Sequence, residues 1–345
     1  MPASLKRFLK VLPFNVFVWI LLTLYLAPVL FMIVTAMMPT SQLGDKKAPL
    51  YPARIVSYTY DGQEYQLYNV PMENGIRQMA LIKPGRTSSL LIDPGHPENG
   101  LIEWQGDWST LTGIYEFHIA WENFAHLFDS MPVSKMVGNT FLLALIGELG
   151  VLCSSIIVAY GFARFSLPGG NFLFYVLIAT ILIPEKVTFI PTFYMYIKVL
   201  QWRGTILPLL VHLFFGNAVY IFLLRQNFKS FPVDLEEAAM LDGAGPLRRL
   251  ISVILPQAWP VVITVSLLHF FYTWNETRLA SLCLGSISTW KPISFAVQNY
   301  QSLIPIDNLI EASTLIMLAV PVLILFLAQR YFLQGLVITG TENKQ

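Results

Sequence analysis

Apolar residues along this chain gather into runs of membrane-spanning length separated by short polar breaks. Runs at 14–37, 137–163, 172–197, 206–228, 258–277 and 309–332 each meet the roughly 20 residues that a helix needs to cross a hydrocarbon core about 30 Å thick. The pattern predicts an all-α polytopic membrane protein with six transmembrane helices. Lys6, Arg7 and Lys10 precede the first run. That run exceeds the roughly 7–15 residues of a signal-peptide core and lacks a small-x-small cleavage site after Met37, so it reads as a retained span with the N-terminus inside. On this topology the inner loops carry Arg164, Arg225, Lys229, Arg248 and Arg249, and the short outer loops carry Lys198, Arg203, Arg278 and Lys291. The bias is modest and has the sign of the positive-inside rule.

One polar stretch, 40–132, breaks the pattern and faces outward on this topology. Segments 55–60 and 63–70 are rich in Tyr and Val and flank Asp61-Gly62, a strong hairpin signal. A second hairpin is expected from 79–83 and 87–92 around Pro84-Gly85, with one more strand at 100–104 after Pro94-Gly95. A β-rich insert this small buries a marginal core and is expected to lean on the neighbouring spans. The chain thus divides into an N-terminal segment with the first span (1–39), the insert (40–132), a five-helix core (133–335) containing the loop 229–257, and a tail (336–345).

The loop 229–257 is the most informative polar break. Pro232 suits a first helical turn, Asp234 and Glu237 have capping-box spacing, and Ala238 and Ala239 keep one face small. Gly243 permits the left-handed turn that ends a helix, and Pro246 starts the next one. Pro256 is expected to separate that second helix, with Arg248 and Arg249 on its polar side, from the span near Trp259. The element would then lie flat against the membrane, and a basic amphipathic helix resting on lipid headgroups is the simpler reading of the same pattern.

Glu237-Ala238-Ala239, Gly243 and Leu255-Pro256 resemble the cytoplasmic signature loop of ABC-importer permeases, with Val253 where that family usually has Ile. Asn139-Thr140, the stretch from Ala159 to Phe165, Leu182-Ile183-Pro184, Ile190-Pro191, the stretch from Phe222 to Gln226, and Gln329-Arg330-Tyr331-Phe332 with Gly335 are similar to the carbohydrate-uptake branch. Within it, the likeness is greatest to the smaller permease subunit of the maltose-type importer. Trp121-Glu122-Asn123-Phe124 resembles the segment leading into the second span, and Trp274-Asn275-Glu276 the family's Trp-Asn-acid sequence, with Arg278 departing from it. The resemblance implies that the loop is a coupling helix seated on an ATPase, with Glu236, Glu237, Ala238, Ala239, Asp242, Gly243, Leu255 and Pro256 as docking residues. It implies a second permease subunit in a heterodimer, an ABC ATPase dimer and an extracytoplasmic substrate-binding protein as partners, in the lipid of a prokaryotic inner membrane with both termini cytoplasmic. No Walker motif occurs, so ATP and Mg belong to the partner, and this chain is expected to be non-catalytic and to bind no cofactor.

With 345 residues, 55% hydrophobic and 12% charged, the chain is too apolar for an ordinary soluble domain. A net charge of +1 with basic residues scattered at loop ends gives no reason to expect a nucleic-acid partner. Cys153 and Cys283 read as unbridged small core residues, and the five His residues show no metal-ligand spacing. Polar residues inside spans are costly unless they face a partner or water. His269, Tyr272 and Thr273 share a helix face and, with Asn275, are candidates for the translocation path or for hydrogen bonds between helices. Glu148 and Lys186 lie at matching depths, each roughly 16 Å below the outer boundary at about 1.5 Å per residue, which predicts an intramembrane ion pair. Permeases for other solutes, an ion-coupled secondary transporter using Glu148, and a sensory membrane protein whose β unit binds a ligand are the competing readings.

Overall fold

The computed structural model describes residues 3–72, 75–285, 288–303 and 306–338. Its chain forms two compact units, residues 1–130 with 301–316, and residues 131–300 with 317–345.

The first unit begins with α1 (Ala3–Ala36), whose segment Leu12–Ala36 has a mean hydropathy of 2.5 and is exposed to its surroundings along nearly its whole length. After α2 (Thr40–Leu43) come, among the described residues, eight strands: β1 (Ala53–Ile55), β2 (Ser57–Tyr60), β3 (Gln63–Met72), β4 (Gly75–Lys83), β5 (Ser88–Ile92), β6 (Ile102–Gln105), β7 (Thr112–Gly113) and β8 (Tyr115–Phe117). Strands β2 to β6 form an antiparallel meander, β7 pairs with β3, and β1 pairs with β8. Asp61 (φ 51°) and Gly62 (φ 77°) make the first turn, the doubly left-handed geometry that matches the twist of paired strands. Both expected hairpins and the strand near 100–104 are present. The sequence pattern missed the β3–β4 hairpin, because Pro71 interrupts the alternation, and the closing strands β7 and β8, which are too short to show a period. Tyr68, Val70, Met79, Leu91 and Leu111 form the core, with Trp104 packed beside it.

Helix α3 (Glu122–Ser130) closes this unit. Asn123 Nδ2 donates to the carbonyls of Ala36 (2.8 Å) and Met38 (2.9 Å), and Asn308 Nδ2 donates to Met38 O at 2.9 Å and Asn123 Oδ1 at 3.2 Å. These buried amides satisfy the carbonyls left open where α1 ends. They also explain why 301–316, placed by sequence in the five-helix core, clusters with the first unit.

The second unit holds α4 (Val133–Arg164), α5 (Gly170–Ile181), α6 (Glu185–Tyr194), α7 (Leu207–Leu210), α8 (Ala218–Ser230), α9 (Asp234–Leu241), α10 (Pro246–Arg249), α11 (Leu255–Trp274), α12 (Arg278–Cys283) and most of α13 (Ile293–Leu303); α14 (Asp307–Ile338) enters it at Met317. Val151, Ala159, Ile221, Leu224, Phe228, Ile254, Val262 and Val265 pack α4, α8 and α11 together. A Cβ on Gly150 would stand 2.9 Å from the Phe214 ring and 3.1 Å from Leu213 O, so the missing side chain is what lets these segments approach.

Five helices among the described residues are long and apolar enough to cross a bilayer, and a bent pair raises the number to six. That pair is the expected third span: Gly170–Ile181 and Lys186–Val199 meet at 93°. Pro184 has no N–H to continue the helix and is itself extended, with φ −60° and ψ 127°. Pro256, expected to end a helix, sits instead in the first turn of α11. A π-helical segment, Leu250–Ile254, joins α10 to α11, so Pro246–Cys283 runs on as one apolar segment; the looser turn before the proline accommodates its ring and missing donor.

Candidate functional site

Helix α9 begins at Asp234, and Val233 occupies its cap position with no side-chain hydrogen bond. The expected capping box between Asp234 and Glu237 is therefore not formed. Asp234, Glu236 and Glu237 all lie within the first turn, where their charge opposes the positive end of the helix dipole. The helix stops at Gly243, φ +77°, with Gly243 N–H bonded to Met240 O and Ala244 N–H to Ala239 O, both at 2.9 Å. This paired closure needs a left-handed residue, which glycine supplies without Cβ strain. Pro246 then opens α10.

The two glutamates side by side have opposite fates. Glu236 is 4% exposed. Its Oε1 lies 2.5 Å from Arg164 Nε, its Oε2 accepts the Tyr160 hydroxyl at 2.7 Å, and Arg249 stands 4.0 Å away. The Arg164 contact is ionic, since its Nε–H does not aim along it, and Arg164 Nη2 also donates to Phe231 O at 2.9 Å. Grouped by sequence with the docking residues, Glu236 instead faces inward and pins α9 to the end of α4. Glu237 and Ala238 are exposed, as are Asp242, Gly243 and Pro256; Ala239 and Leu255 are half-buried. Leu241 is 91% exposed, and Leu247 and Ile251 are exposed as well. The result is a rigidly held turn that presents apolar side chains next to an exposed carboxylate.

The residues expected to line one face of α11 separate. His269 is 2% exposed, its ring edge-on to Tyr220 and its Nε2 3.3 Å from Thr273 Oγ1. Thr273 is buried too, whereas Tyr272 and Asn275 are exposed. The cavity beside Tyr272 and Thr273 measures about 10 Å³, room for no more than a water molecule. Glu148 and Lys186 do not pair: among the described residues no ion pair joins them, and Lys186 is exposed. Glu148 lies by Ser266 of α11, with its Oε1 buried and unbonded. Equal depth along straight antiparallel helices was the basis of that expectation, and the bend before α6 removes it. Arg225 packs its guanidinium 3.7 Å from the centre of the Phe174 ring and donates to Phe162 O at 3.2 Å. Among the described residues no group of three His, Cys, Asp or Glu side chains comes together as metal ligands do.

Residues 151–338 match the model of the family described as the binding-protein-dependent transport system inner membrane component. The chain belongs to this family. The permease is 27% identical over 279 residues to the osmoprotective compounds uptake permease protein GgtD of Synechocystis, covering 79% of this chain and 92% of that one. It is 29% identical over 232 residues to the sn-glycerol-3-phosphate transport system permease protein UgpE of Yersinia pestis, covering 63% of this chain and 79% of that one. A solved bacterial ABC transporter involved in import of the acidic polysaccharide alginate shares the fold, with a TM-score of 0.61 at 17% identity over 96% of the permease and 99% of that chain. What the linear reading of the permease missed is Arg164 and Tyr160. Both occur in the stretch it singled out, but an arginine ending a span reads as topology until its partner, far along the chain, is placed against it.

Proposed function

We propose that this ABC importer permease subunit carries a sugar, polyol or similarly hydroxylated solute, forming half of a translocation path with a second permease. Both termini and the α9–α10 turn face the cytoplasm, where Glu237, Leu241 and Leu247 seat on a separate ATPase dimer that binds ATP and Mg. The chain itself is non-catalytic. The insert faces the opposite side, toward a substrate-binding protein or the second permease. Tyr272 and Asn275 are the path candidates on exposure, while His269 and Thr273 shape the wall behind them.

The observation that carries this reading is the buried Glu236–Arg164 contact beneath an exposed apolar turn. A helix anchored this firmly moves with α4, so displacement of the ATPase surface becomes rigid-body displacement of the spans. Solute class is supported by the names of the relatives, which concern osmoprotective compounds and sn-glycerol-3-phosphate.

Co-purification followed by ATPase assays with a panel of sugars and polyols tests the reading. The expected result is a stable complex with a soluble ATPase whose turnover rises with one hydroxylated solute and its binding protein. A complex stimulated only by amino acids or metal ions would overturn the solute class, and failure to retain any ATPase would overturn the docking role.

A further inference from the structure

The insert carries a cleft of its own, apart from the coupling turn. A cleft of about 530 Å³ opens between the turn after α2, strand β3 and the short helical turn Trp108–Thr110, a volume within the roughly 300–1,000 Å³ of small-molecule sites. Its walls are held by the fold. Tyr115 donates its hydroxyl to Asp45 Oδ2 at 2.7 Å, and Lys47 Nζ donates to the carbonyls of Thr110 and, at 3.3 Å, Leu111. Those contacts join the two sides, so the cleft is preformed and little ordering is left for a ligand to drive.

What the fold leaves unused defines the ligand. Trp108 is 37% exposed at the cleft. Among the described residues its indole N–H, the Gln66 amide N–H group and the Lys46 ammonium make no hydrogen bond or ion pair, although all three residues line the cleft. A flat aromatic face beside directed donors suits a ring with an apolar face and an oxygen-rich edge. Lys46 and Lys47 together outweigh the Asp45 carboxylate in the lining, and Lys46, the cation not engaged by the fold, favours an anionic substituent.

We propose that this cleft is a binding site for a carbohydrate carrying a carboxylate, held by stacking on Trp108, hydrogen bonds from Gln66 and an ion pair with Lys46. The inference rests on the reading of the chain as an importer subunit with its insert facing outward, where such a site holds substrate beside the path.

The test is calorimetric titration of the complete transporter in nanodiscs, without its binding protein, using uronic-acid oligosaccharides and their neutral counterparts. The acidic ligand is expected to bind more tightly than the neutral one. Trp108→Ala is expected to weaken it by about threefold to tenfold and Trp108→Phe to restore most of that loss. Lys46→Met is expected to erase the preference for acid and the salt dependence. Equal binding by wild type and both variants, or none by wild type, would overturn the site. Lost stimulation by the binding protein in Trp108→Ala without any direct sugar binding would make the cleft a protein-docking surface, also overturning it. Complex formation with the ATPase, measured on the same samples, reports separately on the proposed function.

Discussion

Removing Arg164 should strand the Glu236 carboxylate in a site that is 4% exposed, where the ion pair at 2.5 Å and the Tyr160 hydroxyl at 2.7 Å compensate for lost hydration. Breaking one side of a buried pair costs about 3–5 kcal/mol. Arg249 at 4.0 Å offers partial relief, so Arg164→Met belongs at the lower end, about 3 kcal/mol. Tyr160→Phe removes one hydrogen bond to a charged acceptor and should cost about 1.5 kcal/mol. The double variant Arg164→Met/Glu236→Leu removes both charges and should recover most of the loss, a coupling of about 2 kcal/mol or more. Thermal unfolding of the purified complex gives the stabilities, and solute-stimulated ATP hydrolysis gives the coupling. Glu237→Gln, at an exposed position, should leave unfolding unchanged while reducing stimulation. Additive losses in the cycle, or single variants as stable as wild type, would refute the anchor.

Gly243→Val places a β-branched residue at φ +77°, costing about 1–2 kcal/mol; membrane insertion should survive while ATP hydrolysis uncouples from uptake. Gly150→Leu drives a side chain into the Phe214 ring and should destabilise by about 1–3 kcal/mol, whereas Gly161→Ala, with nothing within 4 Å of the added Cβ, should be neutral or better, as read by thermal unfolding. Glu148→Gln and Lys186→Gln should combine additively in folded yield, and recovery in the double variant would restore the ion pair that the bend before α6 argues against. The Tyr115 phenol is pushed up by burial first and by its bond to Asp45 second. Its contribution to insert stability is therefore fully present below the unfolded value of about 10 and declines as pH rises past it. Spectrophotometric titration should show a late-ionising phenol that Tyr115→Phe removes.

The linear pattern alone determined the apolar segments, the hairpin at Asp61-Gly62 and the helix stop at Gly243, because each depends on neighbours within a few residues. Apolar runs need only length to predict a span, and a left-handed turn needs only a residue without Cβ strain. Tertiary structure decided everything that joins distant parts of the chain. Glu236 and Glu237 are equivalent in sequence, yet one is buried because the end of α4 brings Arg164 and Tyr160 to that side of α9. Helical spacing grouped His269, Tyr272 and Thr273, but the packing of α4 and α8 against α11 sorted them into buried and exposed. Depth matching of Glu148 with Lys186 assumed straight helices, and one proline before α6 was enough to void it. The contacts that hold the insert cleft join segments more than 60 residues apart, the Tyr115 hydroxyl donating to Asp45 among them. No local period carries that information, since the free energy of such contacts arises only when folding has already brought the segments together.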